Sequence, residues 1–353
     1  MKYSRASTLF FDAPLALLPS KVDELRAFWT LKLEGKSIEW EERLEPFAVT
    51  HAEMEAASVV DGSGAGLVAV IPLHGVLAAR MNMMMAMSGG TSTTMFAQAL
   101  REQVNNPQVK AIIIDADSPG GAVAGMQELA DSMFALRGTK PIVAVVNHLA
   151  ASAAYSAISQ ADEIVASPSS QLGHIGVAAL LVDRSGELEA AGIKVRQVTA
   201  GKFKHEQALG SDLVPMDDSK IQHAQQQVDE AYAMFVASVA RGRGVKVSDV
   251  RNGFGEGRVV GAQEAVRLGM ADRIATLEQT IQRFASGGRV SRRGTAAELI
   301  EDRIVTLEQV AAAAVADLQV IDNSPPTDEE VAIAAALERD RIRLDRARYA
   351  ARI

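Results

Sequence analysis

One hydroxyl in a run of small residues is the first candidate for chemistry. Ser152 lies in the segment His148-Leu-Ala-Ala-Ser-Ala-Ala-Tyr155, directly after the apolar, β-branched run Pro141-Ile-Val-Ala-Val-Val146. The apolar run is typical of a buried parallel strand, and the small residues after it predict a helix. Ser152 would then lie where open α/β sheets bind their ligands, which makes it a candidate nucleophile. The alternative is a small residue in a tightly packed helix.

A glycine-containing turn is the second candidate. The segment Asp115-Ala-Asp-Ser-Pro-Gly-Gly121 stands at the end of another apolar run, Val109–Asp115. Residues without side chains let a backbone N–H group face a reacting carbonyl, and the start of the helix after Ser152 offers further N–H groups. The pattern fits the stabilisation of an oxyanion, and it fits an ordinary strand-to-helix turn equally well.

A nucleophilic serine needs a general base, and the segment Gly201-Lys-Phe-Lys-His205 contains two lysines. A lysine acts as a base only if burial lowers its pKa from about 10.4 to roughly 7–8, which corresponds to about 4 kcal/mol. Lys204 follows the apolar Phe203, which would help to desolvate its amine, whereas Lys202 is expected to face solvent. Taken alone, either position is also explained as a solvated surface charge.

A histidine between two glycines is the last polar candidate. In the segment Leu172-Gly-His-Ile-Gly-Val177, the glycines leave backbone free to pair with an extended peptide. His174 could assist the chemistry or could be a hydrogen-bonded histidine in a turn.

The elements that must position these residues alternate between strand and helix from Leu67 onward. The predicted strands are 67–73, 109–115, 142–146, 163–166 and 194–199, and the predicted helices are 96–104, 125–136, 151–160 and 217–241. This alternation predicts an α/β fold with a mostly parallel sheet and crossover helices.

Three regions are predicted along the 353 residues: a helical N-terminal extension over 1–66, a domain over 67–285 and a helical C-terminal extension over 286–353. The glycine- and serine-rich run 61–66 is expected to be a linker or a turn. The methionine-rich run 81–87 is interpreted as an adaptable apolar surface for a substrate or a subunit.

Composition excludes several function classes. The net charge of −8 argues against nonspecific nucleic-acid binding. The absence of cysteine excludes disulfides, thiol nucleophiles and cysteine-ligated metals, and it fits a reducing compartment. No stretch reaches about 18 uninterrupted apolar residues, and residues 1–12 do not resemble a signal peptide. A cytosolic protein with no membrane partner is therefore expected.

The four motifs, in this order and at these separations, resemble the signal-peptide-peptidase A family of serine peptidases, over roughly residues 67–282. Within that family the chain is most similar to the head maturation (capsid) proteases of tailed bacteriophages. The phage-like marks are an N-terminal extension without a membrane anchor, the segment Asp117-Ser-Pro-Gly-Gly-Ala-Val-Ala-Gly125 and a C-terminal extension rich in alanine and charge.

The resemblance implies a Clp-protease/crotonase fold and a Ser/Lys dyad. Ser152 would be the nucleophile and Lys204 the general base, with the N–H groups of Gly121 and Ala153 as the oxyanion hole. The family usually has serine where this chain has His174, so His174 would support Lys204 or replace it as the base. The residues expected to bind the substrate strand are Gly120, Ala122, Val123, Ile175, Gly176 and Val177.

The resemblance further implies a homo-oligomeric serine endopeptidase, free of cofactor and metal, that processes scaffold and capsid proteins inside a procapsid in the host-cell cytoplasm. Its own termini are further candidate substrates, and the C-terminal extension would be scaffold-like. The alternatives are a bacterial housekeeping peptidase of the same family, a crotonase-type acyl-CoA enzyme and a noncatalytic scaffold.

Overall fold

The computed structural model describes residues 15–17, 58–62, 66–80, 90–204 and 214–290, and for the first two ranges only the backbone. The methionine-rich run 81–87 and the C-terminal extension after Val290 lie outside the described residues, as does most of the N-terminal extension. Within the described ranges, no helix combines the length and the apolarity that a membrane crossing requires.

The described strands form one sheet. Its strands are β1 Leu15–Leu17, β2 Ser58–Gly62, β3 Gly66–Ala78, β4 Thr91–Ser92, β5 Val109–Ala122, β6 Ile142–Ala151, β7 Glu163–Ala166, β8 Gln171–Gly173, β9 Val259–Gly261 and β10 Arg273–Ile274. The main order across the sheet is β10-β7-β6-β5-β3-β2, and all of these pairs are parallel except β2 with β3. The predicted α/β fold with a mostly parallel sheet is confirmed.

Helices cover both faces of the sheet because its central strands are apolar on both sides. The helices are α1 Thr93–Asn105, α2 Met126–Leu136, α3 Ala153–Ile158, α4 Ser185–Ala190, α5 Asp218–Arg243, α6 Val247–Gly253, α7 Ala262–Arg267 and α8 Leu277–Ala285. On β5, Ile112 and Ile114 pack into the core layer shared with α1, α2, α3 and α5. Ile113 points to the opposite layer, which α8 closes with Phe284.

Several elements differ from the sequence prediction. β5 and β6 continue beyond the apolar runs, through Ser118-Pro-Gly-Gly121 and through His148-Leu-Ala-Ala151, because backbone pairing with neighbouring strands continues after the side chains change character. The predicted strand 194–199 is wrong, since residues 193–200 have no regular secondary structure and are exposed.

Two short strands come from the predicted N-terminal extension. β2 forms an antiparallel hairpin with the start of β3, so the glycine- and serine-rich run leads directly from one strand into the next. β1 pairs with the end of β5, far from it in the sequence.

A buried ion pair ties α5 to the far end of the sheet. The Arg243 side chain is 0% exposed and donates to both carboxylate oxygens of Asp272, at 3.0 and 3.1 Å. It also donates to the Gly269 carbonyl, and Asp272 accepts the N–H of Ile164 on β7. Each charge is therefore compensated, and removing either one would leave the other without its ion-pair partner.

We expect Arg243→Ala to lower the free energy of unfolding by about 3–5 kcal/mol, because it leaves the carboxylate of Asp272 without its cation. Arg267→Ala is the control, because it breaks the ion pair between Arg267 and Glu264, whose side chains are 68% and 44% exposed. It should lower the free energy of unfolding by less than about 1 kcal/mol. Urea unfolding followed by circular dichroism measures both. Equal losses would show that the Arg243 pair contributes no more than a surface pair.

Candidate active site

Ser152 occupies a sharp junction between β6 and α3. Its backbone has φ 55° and ψ −121°, a conformation that costs a non-glycine residue of order 1–3 kcal/mol. The N–H of Ser152 donates to the Gly173 carbonyl at 2.7 Å, which helps to hold this conformation. A strained strand-to-helix turn with serine at its apex is the geometry of a nucleophile.

The Ser152 side chain is enclosed. The residue is 0% exposed, and its hydroxyl lies 3.4 Å from the Gly176 carbonyl, to which it donates. The segment Gly173–Val177, singled out from the sequence, is thus in direct contact with the candidate nucleophile.

The end of β5 lies beside this junction. Ser118 pairs with Ala150, two positions before Ser152. The buried hydroxyl of Ser118 donates to the Gly75 carbonyl at 2.6 Å and accepts the N–H of Gly120 at 3.2 Å, so it fixes the start of the glycine pair. Sequence reasoning did not assign Ser118 a role, although the residue lies within a recognised motif.

Gly121 has no space for a side chain. A Cβ atom at this position would lie 1.9 Å from the carbonyl oxygen of Leu77 on β3. The close approach of the two backbones explains why the strand carries glycine here, and it fixes the position of the Gly121 peptide relative to β3.

His174 adjoins the site. It has a left-handed backbone with φ 53°, and its N–H donates to the Arg258 carbonyl at 2.9 Å. Burial lowers the pKa of His174 below its ordinary value and so favours the neutral imidazole. The Nδ1 atom is buried without a hydrogen-bond partner among the described residues.

The structure leaves Lys204 exposed, and the expectation about its neighbour is wrong. Phe203, which was expected to desolvate Lys204, is itself 56% exposed. The Lys202 ammonium lies 4.7 Å from the centroid of the Phe203 ring. The described residues of one copy of the chain therefore do not give Lys204 the buried surroundings that a lysine base requires.

A cleft of about 480 Å³ opens next to the predicted substrate-binding residues Ile175, Gly176 and Val177. Its opposite wall consists of α5, α6 and the adjoining turn, with the lining residues Val228, Asp229, Tyr232, Arg251, Asn252, Glu256 and Gly257. The Arg251 guanidinium lies 5.7 Å from the Tyr232 ring centroid. Sequence reasoning missed this wall because α5 and α6 carry no motif that points to a site.

A polar cluster on β3, β5 and β6 was also missed. His74 Nε2 lies 3.1 Å from the Asp115 carboxylate, and the hydrogen bond to Asp115 raises the pKa of His74. His148 pairs with Asp117 at 3.2 Å. The only sequence signal for these two pairs was that each side chain lies at or just after the end of an apolar run.

Comparison with known proteins supports a peptidase. Residues 135–291 match the family model described as Peptidase family S49, which confirms the resemblance drawn from the sequence.

Individual relatives have both phage and cellular origins. The chain is 30% identical over 227 residues to the head-tail preconnector protein GP5 of Enterobacteria phage P21, covering 64% of this chain and 44% of that protein. It is 29% identical over 270 residues to the capsid assembly protease C of Escherichia phage lambda, covering 76% and 60%. It is 30% identical over 196 residues to the putative protease MJ0651 of Methanocaldococcus jannaschii, covering 56% and 62%. The chain thus spans about half to three fifths of the length of these relatives.

We expect Gly121→Ala to lower the free energy of unfolding by about 1–3 kcal/mol, because the new methyl group must push β3 and β5 apart. Gly176→Ala is the matched control, since a Cβ atom there meets nothing within 4 Å. Urea unfolding of both variants tests the difference. A loss at Gly176 as large as that at Gly121 would contradict the proposed close contact.

Proposed function

We propose that this protein is a serine endopeptidase with Ser152 as its nucleophile. The observation that carries the proposal is the strained junction at Ser152, buried between the glycine pair of β5 and the segment Gly173–Val177. The match to Peptidase family S49 supports the same chemistry.

The proposed reaction begins with an extended substrate between Gly120–Val123 and Ile175–Val177. The Ser152 oxygen attacks the scissile carbonyl carbon while the neutral Lys204 amine takes the hydroxyl proton. The N–H groups of Gly121 and Ala153 stabilise the oxyanion. The C–N bond then breaks, the leaving amine takes the proton from Lys204, and water hydrolyses the acyl-enzyme by the same proton route.

The exposure of Lys204 leads us to propose that copies of the chain associate to complete the site. The segment that carries Lys204 exposes apolar side chains that water does not favour: Leu180 at 49%, Ile193 at 52%, Val198 at 94% and Phe203 at 56%. A second copy packed on this segment would bury those side chains and desolvate the amine together. The proposed state is therefore a homo-oligomer.

The biological role we propose is the processing of scaffold and capsid proteins during phage procapsid maturation, in the host-cell cytoplasm. The names of the two phage relatives, a head-tail preconnector protein and a capsid assembly protease, support this role. The similarity to a putative protease of Methanocaldococcus jannaschii favours a second candidate, a cellular housekeeping peptidase. Cleavage of co-expressed capsid and scaffold proteins from the same phage genome would support the first candidate, and cleavage only of unrelated unfolded proteins would support the second.

Four single variants test the proposed dyad. We expect Ser152→Ala and Lys204→Ala each to reduce peptide hydrolysis about a thousandfold or more, because the two groups act as a unit. His174→Ala should retain activity within about tenfold, and Lys202→Ala is the matched control for a neighbouring lysine. Initial rates on an unfolded protein substrate and the masses of the products measure the effects. Full loss with His174→Ala and survival with Lys204→Ala would make His174 the base instead.

The proposed association has its own test. Because Val198 is almost fully exposed, Val198→Asp should leave the unfolding free energy within about 0.5 kcal/mol of the starting value. It should weaken self-association at least about tenfold, or 1.4 kcal/mol, and lower the rate per chain in parallel. Gln226→Asp, at an exposed position of α5, is the control. Sedimentation velocity over a concentration series measures association, and a fully active monomer would refute the proposal.

A further inference from the structure

We propose that the N-terminal strand β1 is a built-in ligand of the substrate-binding edge, which competes with polypeptide substrates for the site. The inference rests on the proposed function, because the edge concerned is the one assigned to substrate. It adds the identity of one occupant, residues Leu15–Leu17 of the same chain, and the class of peptide that the edge accepts.

The pairing of β5 determines which edge β1 occupies. A strand has two edges, and β3 covers one of them up to the pairs Val76 with Gly120 and Leu77 with Gly121. β6 covers the other edge only as far as the pair of Ser118 with Ala150. β1 pairs with Gly120–Ala122, so it continues the edge that β6 leaves open. This is the edge beside Ser152, which follows directly after β6.

The direction of β1 points toward the candidate nucleophile. The pairs are Leu15 with Ala122, Ala16 with Gly121 and Leu17 with Gly120, in antiparallel orientation. The chain of β1 therefore runs from the outer end of β5 back toward the end of β6. In a substrate strand bound in this register, one residue would lie opposite Gly120. The peptide bonds that follow this residue would lie on the Ser152 side of the site.

The composition of the segment defines the class of peptide that would compete with it. The sequence around β1 is Pro14-Leu-Ala-Leu-Leu-Pro19, with no charged side chain and with a proline at each end. Opposite it, Gly120 and Gly121 offer only backbone. Recognition would then rest on main-chain hydrogen bonds, as in peptide binding by strand addition, and would favour extended segments of leucine and alanine.

An occupant tethered in the same chain has a large advantage over a free peptide. Tethering gives an effective concentration on the order of 1 mM. If the same peptide binds in free form with a dissociation constant of about 100 μM, the tethered strand keeps roughly nine sites in ten occupied. Releasing the strand would then raise the rate on a dilute substrate about tenfold.

The first experiment removes the pairing in the full chain by the double substitution Ala16→Pro and Leu17→Pro. Because N–H groups of successive strand residues point to opposite edges, one of the two must face β5, and proline cannot donate from either position. Ala13→Pro, two positions before the strand, is the matched control. We expect the double variant to hydrolyse a leucine- and alanine-containing fluorogenic peptide about tenfold faster than the control.

Hydrogen exchange supplies a readout that needs no catalysis. In a Ser152→Ala background, the double proline variant should exchange those amides of Gly120–Ala122 that face β1 faster than the Ala13→Pro control does. Unchanged exchange would overturn the inference whatever the peptidase assay gives. Exchange could instead be faster while no variant that retains Ser152 shows peptidase activity. This result would support the strand pairing and overturn the proposed function.

A labelled peptide with the sequence of residues 13–20 tests the competition directly. In fluorescence anisotropy, we expect it to bind about tenfold more tightly to the Ser152→Ala protein with the double proline substitution than to Ser152→Ala alone. A version of the peptide that carries the Ala16→Pro and Leu17→Pro substitutions should not bind. Equal affinity for the two proteins would refute the competition.

Discussion

The hydrogen bond from the Ser152 N–H to the Gly173 carbonyl is the interaction on which the site depends. It joins the residue that follows β6 to the last residue of β8, at the point where the chain turns from strand into helix. It thereby helps to hold a backbone conformation that serine does not favour by itself. The helix that follows, α3, is held by a buried hydrogen bond, in which the Tyr155 hydroxyl donates to the Met270 carbonyl at 3.0 Å. Local strain at the nucleophile is thus offset by packing and hydrogen bonds elsewhere in the domain.

The two sides of the cleft are built differently. On the β5 side, Gly121 lies against the backbone of β3 so closely that no side chain fits, and Ser118 fixes the residue before it. On the opposite side, His174 and Gly176 belong to a segment without regular secondary structure. The glycine edge can present backbone N–H groups at a constant position, whereas the irregular segment presents the Gly176 carbonyl to the Ser152 hydroxyl.

The exposure of Lys204 raises the question of what completes the site, and the pairing of β1 raises the question of what occupies it. The candidate base lies among exposed apolar side chains, and the open edge of β5 is already paired with residues of the same chain. In our proposals a second copy supplies the missing burial, and a substrate must displace the internal strand. Both conditions would confine the chemistry to an assembled protein that meets a suitable extended polypeptide.

The sequence by itself determined the parallel sheet and the position of Ser152, because apolar β-branched runs and the small residues after them are local signals. It also identified Gly120, Gly121 and the segment Leu172–Val177, and at Gly121 the glycine does mark a place where two backbones come close. Only the tertiary structure decided that residues 194–199 form no strand and that Lys204 is exposed, because burial depends on what packs against a segment. The pairing of β1 with β5 was equally invisible in the sequence, since a three-residue strand carries no periodic pattern and its partner lies about a hundred residues away.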